Sequence, residues 1–247
     1  MEKIDLRTWE EFEEHVEQLA CRRAKRKGAA DHYISEYLFR GQSNSSWGLT
    51  TTLERNSGRL LTLVEYYRIV RATKPQVETH TGATWEIPSS LDYTKQLEES
   101  DLLPPGKPLA YEYLIYLRHH GFPSPLLDWT LSPYVAAYFA FRDVCSIADS
   151  VSIYAYCEYI VGHKSGSSNK PKITGLGPNV RSHRRHFQQQ SQYTFCTINR
   201  GSNLSYARHD EVFAGNNKDQ DEFVVPRPSV NTWHFRVPSA FGLAAYS

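Results

Sequence analysis

The sequence predicts an α+β fold in a single domain, and three features favour this class. Apolar residues recur with helical spacing in several segments of the first 140 residues, and short aromatic or aliphatic strands lie between them. After residue 150 the segments are mostly strands, as at residues 151–156, where β-branched and aromatic side chains alternate along the chain. The length of 247 residues suits one domain with additions, or two small domains.

Caps and turn residues set the expected elements of the N-terminal half. Thr8 and Glu11 fit a capping box that begins a helix over residues 8–27, inside an N-terminal segment of residues 1–30, and Gly28 ends that helix. Residues 73–108 are rich in Pro, Gly, Thr and Ser, which predicts an irregular insertion with room for one short helix. Further elements are expected at residues 37–42 (strand), 59–72 (helix) and 109–119 (helix).

The C-terminal half is expected to contain one helix and then mainly strands. Ser132 and Pro133 fit the N-cap and first position of that helix. Strands are expected at residues 126–129, 151–156, 192–198 and 222–226, with a loop at residues 162–180 and a turn at residues 199–203.

Composition limits the classes of function. The net charge of +1 gives no overall field for nucleic acid, although basic runs at residues 22–27 and 181–186 could grip phosphates or simply be solvated. The four cysteines lie far apart, so no disulfide framework and no zinc motif is readable. The charged N-terminus and the absence of a long apolar run predict a cytoplasmic protein without a membrane segment.

Arg40 is the first candidate for chemistry, because it ends a strand and is followed at once by Gly41. Arginine grips phosphate or carboxylate with paired hydrogen bonds, and glycine would let a ligand approach the backbone. The alternative is an arginine that pairs with a buried carboxylate and pins two strands together.

The segment Asp128–Thr130 is the second candidate, since a strand there gives way to a capped helix. Backbone N–H groups are unpaired at such points, which makes them common ligand positions. Asp128 could accept hydrogen bonds from a ribose or from Arg40, and Trp129 could stack on a ring. Alternatively, Asp128 and Thr130 only cap the helix, and Trp129 fills the core.

Other polar groups are less specific. His119 and His120 precede the second candidate and are a poor metal pair, because adjacent side chains diverge. Gln220 and Glu222 open a late strand, where a carboxylate could stabilise positive charge developing on a sugar, or could lie in a solvated loop. Glu211 and Gln190 compete for this third role.

Two motifs together resemble the bacterial FRG-domain family, which is named for its Phe-Arg-Gly. The first is Phe39–Gly41 within residues 37–43, with a following Trp47, and the second spans residues 119–140 through Leu-Leu-Asp-Trp-Thr to Tyr-Phe-Ala. The resemblance extends weakly to residues 185–195. The sequence departs from the family at His120 (usually Tyr), at residues 124–125 (usually Thr-Arg) and at Ser191 (usually Gly).

The same residues are similar to ADP-ribosyltransferases. Phe39–Gly41 resembles their first motif, Asp128–Thr130 stands in place of their usual Ser-Thr-Ser, and Gln220–Glu222 resembles their third motif. This resemblance implies a split β-sandwich with an N-terminal helix and a helical insertion. It implies NAD as cosubstrate, with Arg40, Glu222 and Gln220 in catalysis. The implied NAD-binding residues are Arg40, Gly41, Gln42, His119, Asp128, Trp129, Thr130 and Gln190.

The resemblance also implies a biological role. FRG proteins often occur in mobile or defensive bacterial contexts, so we expect a toxin neutralised by an antitoxin protein. A glutamine in the third motif is associated with targets other than arginine, and with the basic runs it favours a nucleic acid acceptor, RNA above DNA or protein. The rival interpretations are a binding module that senses a nucleotide without chemistry, and an interaction protein in which Arg40 and Asp128 are a buried pair.

Overall fold

The computed structural model describes residues 2–29, 31–99, 109–142, 148–160, 170–177, 189–201, 203–213 and 220–226. The helices are α1 (Trp9–Ala29), α2 (Thr52–Ser57), α3 (Leu63–Thr81), α4 (Ser90–Glu99), α5 (Tyr111–His119), α6 (Pro133–Phe141) and α7 (His209–Phe213). The strands are β1 (Glu2–Asp5), β2 (Tyr37–Gln42), β3 (Leu127–Thr130), β4 (Ser150–Cys157), β5 (Lys172–Gly175), β6 (Ser191–Arg200), β7 (Asn203–Tyr206) and β8 (Gln220–Pro226). The predicted α+β class is confirmed.

The N-terminal helix begins as predicted and ends later. The Thr8 hydroxyl accepts from the Glu11 amide at 3.2 Å, and the Glu11 carboxylate accepts from the Thr8 amide at 3.3 Å, so the capping box is present. Gly28 does not end the helix, which continues to Ala29. One glycine in a helix costs only about 1 kcal/mol relative to alanine, which is too little to force a stop.

The prediction of an irregular insertion at residues 73–108 is wrong for residues 73–81, which are helical. Helix α3 runs through Pro75 and ends at Thr81, with Gly82 in a left-handed C-cap. An ion pair between Lys74 and Glu78 at 3.2 Å spans the proline. Helix α4 fills the later part, which agrees with the short helix expected there, and residues 100–108 lie outside the described residues.

Three short elements of the C-terminal half differ from the expectation. Strand β5 lies inside the segment expected to be a loop, and β7 follows a tight turn at Gly201, while β6 already includes residues 199 and 200. Residues 209–213, which include Glu211, form helix α7, although only one helix was expected in this half of the chain. The basic run at residues 181–186 lies outside the described residues.

The described strands form one hydrogen-bonded sheet in the order β1-β8-β4-β2-β3-β6-β5, with β7 also paired to β6. Only the β1–β8 pair is parallel among these pairings. Strands β2 and β3 share a single register pair, Phe39 with Thr130, whereas β2 and β4 share six. The β2–β3 junction is therefore a narrow seam between two half-sheets.

The sheet folds over at this seam. Four strand spacings separate β4 from β5 along the sheet, or about 19 Å if the sheet were flat. The Tyr156 hydroxyl nevertheless donates to the Ile173 carbonyl at 3.4 Å, and the rings of Trp129 and Tyr156 lie 5.9 Å apart. The half-sheets thus pack against each other around a shared apolar cluster, which includes Leu38 and Leu127.

Helices cover the outer faces of the folded sheet. Helices α1 and α6 pack on β2 and β4, where Phe12 and Ala136 contact the cluster around Phe39. Helices α3, α4 and α5 pack on β6 and β7 around Tyr193 and Tyr206. This arrangement leaves the seam between β2 and β3 open at one end, where the candidate site lies.

Candidate functional site

A cleft of about 1090 Å³ opens at the seam between β2 and β3. Its walls come from β2, the loop that follows β2, helix α2, the end of α5, β3, α6 and the start of β6. The lining residues are Phe39, Arg40, Gly41, Gln42, Ser43, Ser46, Trp47, Gly48, Thr50, Arg55, His119, His120, Asp128, Trp129, Thr130, Ala136, Phe139, Arg142, Gln189, Ser191 and Tyr193. A cleft of this size is large enough for a dinucleotide.

Arg40 lies where the two half-sheets separate. Its Nη1 donates to the main-chain carbonyl of Asp128 at 2.7 Å, so the side chain bridges β2 and β3. Its Nε is buried and has no hydrogen-bond partner among the described residues. Burial lowers the pKa of Arg40 to about 10, and the guanidinium therefore stays charged at neutral pH. Arg40 thus places an anchored positive charge in the wall of the cleft, which suits an anionic ligand.

Close packing against helix α6 explains why residue 41 is a glycine. A Cβ atom at this position would lie 1.9 Å from the carbonyl oxygen of Ala136 and 2.7 Å from the amide nitrogen of Ala140. The close approach that we expected from a ligand is thus made by helix α6, although Gly41 also lines the cleft. The alanines of α6 complete this contact because they are small and buried.

The Asp128 carboxylate is held by Arg118, a residue that sequence reasoning missed. Arg118 Nε donates to Oδ1 at 2.6 Å, and Nη2 donates to Oδ2 in the same fork. Burial opposes ionisation of Asp128, but the charges of Arg118 and Arg40 outweigh it and hold the pKa of this carboxyl below its ordinary value. Arg40 meets the carbonyl of Asp128 and not its carboxylate. The Asp128 side chain remains 47% exposed toward the cleft.

Trp129 and Thr130 are tied into the framework. The Trp129 indole is buried and donates to the Thr194 hydroxyl at 2.8 Å, which matches the core role left open by the sequence. The Thr130 hydroxyl donates to the Gln189 carbonyl at 2.6 Å and accepts from the Ser132 amide at 3.0 Å. Ser132 in turn caps α6, with its hydroxyl accepting from the Val135 amide.

His119 and Gln42 reach the cleft from opposite walls. The His119 Nε2 atom and the Tyr193 hydroxyl lie 3.0 Å apart in a hydrogen bond whose direction depends on the histidine tautomer. Gln42 donates from Nε2 to the Gly48 carbonyl at 3.2 Å. Its Oε1 is buried and accepts no hydrogen bond from the described residues. Gln42 and Arg40 thus both line the cleft, and each has one buried polar atom without a partner among the described residues.

Gln190 is not part of the cleft wall. It adopts a left-handed backbone with φ of 48°, and its carbonyl accepts from the Leu131 amide at 3.2 Å. The neighbouring Gln189 lines the cleft instead. The turn before β6 is therefore fixed against β3, while Gln188 and Arg185 lie outside the described residues.

The third predicted motif lies in register with Arg40 across the sheet. Arg40 pairs with Tyr154 of β4, and Tyr154 pairs with Glu222 of β8. Glu222 thus occupies the same register position two strands away, at roughly 10 Å along the sheet. Gln220 pairs with Tyr156, two residues further along β4 than Tyr154. Glu211, by contrast, is exposed on helix α7.

The described lining of the cleft is positively charged. Arg40, Arg55 and Arg142 contribute cationic groups, and the single lining carboxylate, Asp128, is already paired with Arg118. No group of three or more metal-binding side chains occurs among the described residues. The surplus positive charge of the lining arginines favours an anionic ligand.

No helix among the described residues combines the length and apolar character needed to cross a bilayer.

Comparison with known proteins identifies the segment that builds this cleft. Residues 35–148 match the FRG domain. No curated protein and no solved structure matches the chain. All lining residues of the cleft except Gln189, Ser191 and Tyr193 fall inside the matched segment. The chain therefore carries an FRG domain at residues 35–148.

Proposed function

We propose that this FRG protein is an NAD-dependent ADP-ribosyltransferase with a split β-sandwich of the type those enzymes use. The folded sheet supports the proposal, because its half-sheets separate at one register pair between β2 and β3 and the cleft opens there. Helix α1, and helix α4 within the expected insertion at residues 73–108, would be additions to that sandwich.

Arg40 carries the proposal. One of its nitrogens is held by the Asp128 carbonyl, and another is a buried donor without a partner. The charge of Arg40 and the amide of Gln42, both in the cleft lining, suit a ligand that has phosphate oxygens and hydroxyl groups, as NAD does. Arg40 would hold the pyrophosphate or a ribose, while Asp128, kept ionised by Arg118, would order the nicotinamide ribose from the exposed side of the carboxylate.

Glu222 and Gln220 would complete the site. NAD supplies an ADP-ribosyl group as nicotinamide departs, and positive charge develops on the ribose. Glu222 would stabilise that charge, and its register with Arg40 makes it a better candidate than the exposed Glu211. Gln220 would position the acceptor. Thr130, His119 and Gln190 would act mainly by fixing the walls of the cleft.

The acceptor we propose is a nucleic acid, with RNA favoured, modified by a cytoplasmic toxin that an antitoxin protein neutralises. The cationic cleft and the basic last turn of α1 support an anionic acceptor. The decisive experiment incubates labelled NAD with a whole lysate and then separates protein, RNA and DNA. Label in RNA supports the proposal, label in protein overturns the acceptor, and absence of any transferred label overturns the activity.

Arg40→Lys tests the anchor. Lysine keeps the positive charge but loses the planar fork, so the variant should fold normally and lose transfer activity. Circular dichroism and a urea titration check the fold, and label transfer checks the activity. A variant that unfolds would mean that Arg40 serves only to bridge β2 and β3.

Glu222→Gln tests the third motif. The variant should keep the fold and NAD binding, lose transfer by about a hundred- to a thousandfold, and relieve toxicity in expressing cells. Glu112→Gln, on the exposed side of α5, is the matched control and should behave as wild type. Full activity in Glu222→Gln with an inactive Glu211→Gln or Gln190→Ala would move the third motif to the residue whose change abolishes transfer.

The alternative is a protein that binds a nucleotide through Arg40 and Asp128 and catalyses no reaction. Heating the protein with rising NAD concentrations should raise its melting temperature for a sensor and for an enzyme, and not for a purely structural protein. Transfer of label then separates the enzyme from the sensor.

A further inference from the structure

Trp47 stands out at the cleft because its indole is exposed while its main chain is fixed. The side chain is 52% exposed and lines the cleft. Trp129, the other tryptophan of the lining, is only 3% exposed, and its indole N–H is already used by Thr194. Large exposed aromatic side chains at a polar cleft are positioned to stack on planar rings.

The loop that carries Trp47 is tied to three different elements. The Tyr154 hydroxyl of β4 donates to the Trp47 carbonyl at 3.2 Å, and Gln42 of β2 donates to the Gly48 carbonyl. The Leu49 amide donates to Oδ1 of Asp210 in α7 at 2.6 Å. Little conformational entropy would therefore be lost from the loop when a ring binds to Trp47, which favours binding.

Arg55 provides a cationic group beside this platform. It lines the cleft from helix α2, is exposed, and has no ion-pair partner among the described residues. The charge of Arg55 contributes to lowering the pKa of Arg40, which indicates that the two guanidinium groups lie in the same region of the cleft. A stacking surface beside two arginines fits a planar base joined to phosphates.

We infer that Trp47 and Arg55 form the base-binding subsite of the cleft, in which the ring of a nucleotide stacks on the Trp47 indole and its phosphates bind Arg55 and Arg40. This inference rests on the proposed function only in taking a nucleotide as the ligand. It assigns the stacking role to Trp47 in place of Trp129, whose indole is enclosed by Tyr156 and Thr194.

The test compares probes with and without a ring by titration calorimetry on the full chain. ADP and nicotinamide mononucleotide carry different rings, and inorganic pyrophosphate carries none. Trp47→Ala should weaken binding of at least one ring-bearing probe by about 5- to 100-fold and leave pyrophosphate affinity unchanged. Trp47→Phe should retain most of the affinity, and Arg55→Met should weaken pyrophosphate as well. The probe that responds to Trp47→Ala identifies which ring stacks.

Tyr33→Ala is the matched control, because Tyr33 is 67% exposed and lies outside the cleft lining. It should bind all probes as wild type does. The subsite is overturned if wild type binds no ring-bearing probe, if it prefers pyrophosphate to both, or if Trp47→Ala binds ADP and nicotinamide mononucleotide normally. These measurements need no transfer, so a protein that binds through Trp47 and transfers no label overturns the transferase and keeps the subsite.

Discussion

Replacing Arg118 with methionine removes the fork that holds Asp128 and keeps much of the side-chain volume. Breaking a buried ion pair by removing one partner costs about 3–5 kcal/mol, whereas exposed pairs contribute about 0–1 kcal/mol. Arg118 is 12% exposed and Asp128 is 47% exposed, so this pair lies between the two cases. We expect the free energy of unfolding at pH 7 to fall by roughly 1–3 kcal/mol.

The pH dependence of this loss identifies its origin. The folded-state pKa of Asp128 lies below the ordinary value of 3.8, because Arg118 and Arg40 outweigh the effect of burial. The pair therefore stabilises the native state above pH 3.8, and its contribution is lost as the pH falls through the lowered pKa. The difference between wild type and Arg118→Met should be full from pH 7 to pH 5 and should shrink below pH 3.8.

Urea unfolding followed by tryptophan fluorescence at several pH values measures this difference. Arg55→Met is the control for stability, since Arg55 has no ion pair among the described residues, and its change should stay within about 0.5 kcal/mol. A loss in Arg118→Met that is the same at pH 7 and pH 3 would show that packing and not charge is responsible, and would refute the reasoning.

Two further predictions concern the framework of the site. Gly41→Ala should destabilise the protein by about 1–3 kcal/mol or more, because its Cβ would overlap the Ala136 carbonyl, and a neutral urea midpoint would contradict the packing of α6 on β2. His209 is fully buried, and desolvation lowers its pKa from 6.5 to about 3, so the folded state resists its protonation. The free energy of unfolding of the wild type should therefore fall by up to about 1.4 kcal/mol for each pH unit below pH 6.5, because of this group. His209→Gln should lose less over that range, and parallel stability curves for the two proteins would count against a neutral, buried His209.

Local signals in the sequence located the elements that carry strong caps. Thr8 with Glu11, and Ser132 with Pro133, place helix starts at the residues where the structure has them. Strands β5 and β7 have only four residues each, and both form by pairing with the longer strand β6. Strand β1 pairs with β8 from the other end of the chain. Such non-local pairing leaves no periodic pattern in so short a segment.

Pro75 shows why an expected break can fail. A proline inside a helix removes one hydrogen bond and costs about 3 kcal/mol. Helix α3 offsets this cost through packing against α4, where the rings of Tyr67 and Tyr93 stack at 3.8 Å, and through the capping box formed by Thr62. The packing partner lies more than twenty residues away in the chain, so composition alone predicted an irregular segment.

The sequence indicated Arg40 and Asp128, which both line the cleft, but it indicated neither Arg118 nor a ligand-binding role for Trp47. Arg118 stands in the last turn of α5, where a cation is already expected because it complements the helix dipole. Nothing local marks its carboxylate partner ten residues later. Trp47 follows the first motif, but the side chains that hold its loop, Tyr154 and Asp210, are distant in sequence.

The two motifs of the matched segment are one structural unit. Phe39 packs with α1 and α6 and pairs with Thr130 at the seam, Arg40 reaches the Asp128 carbonyl, and Gly41 leaves room for α6. Helix α6 is capped by Ser132 directly after the second motif. Three adjacent residues thus fix the distance between the half-sheets, the direction of the guanidinium and the position of the helix. A change at any one of them should move the Arg40 donor relative to the cleft, which explains why a short motif can specify a site assembled from distant parts of the chain.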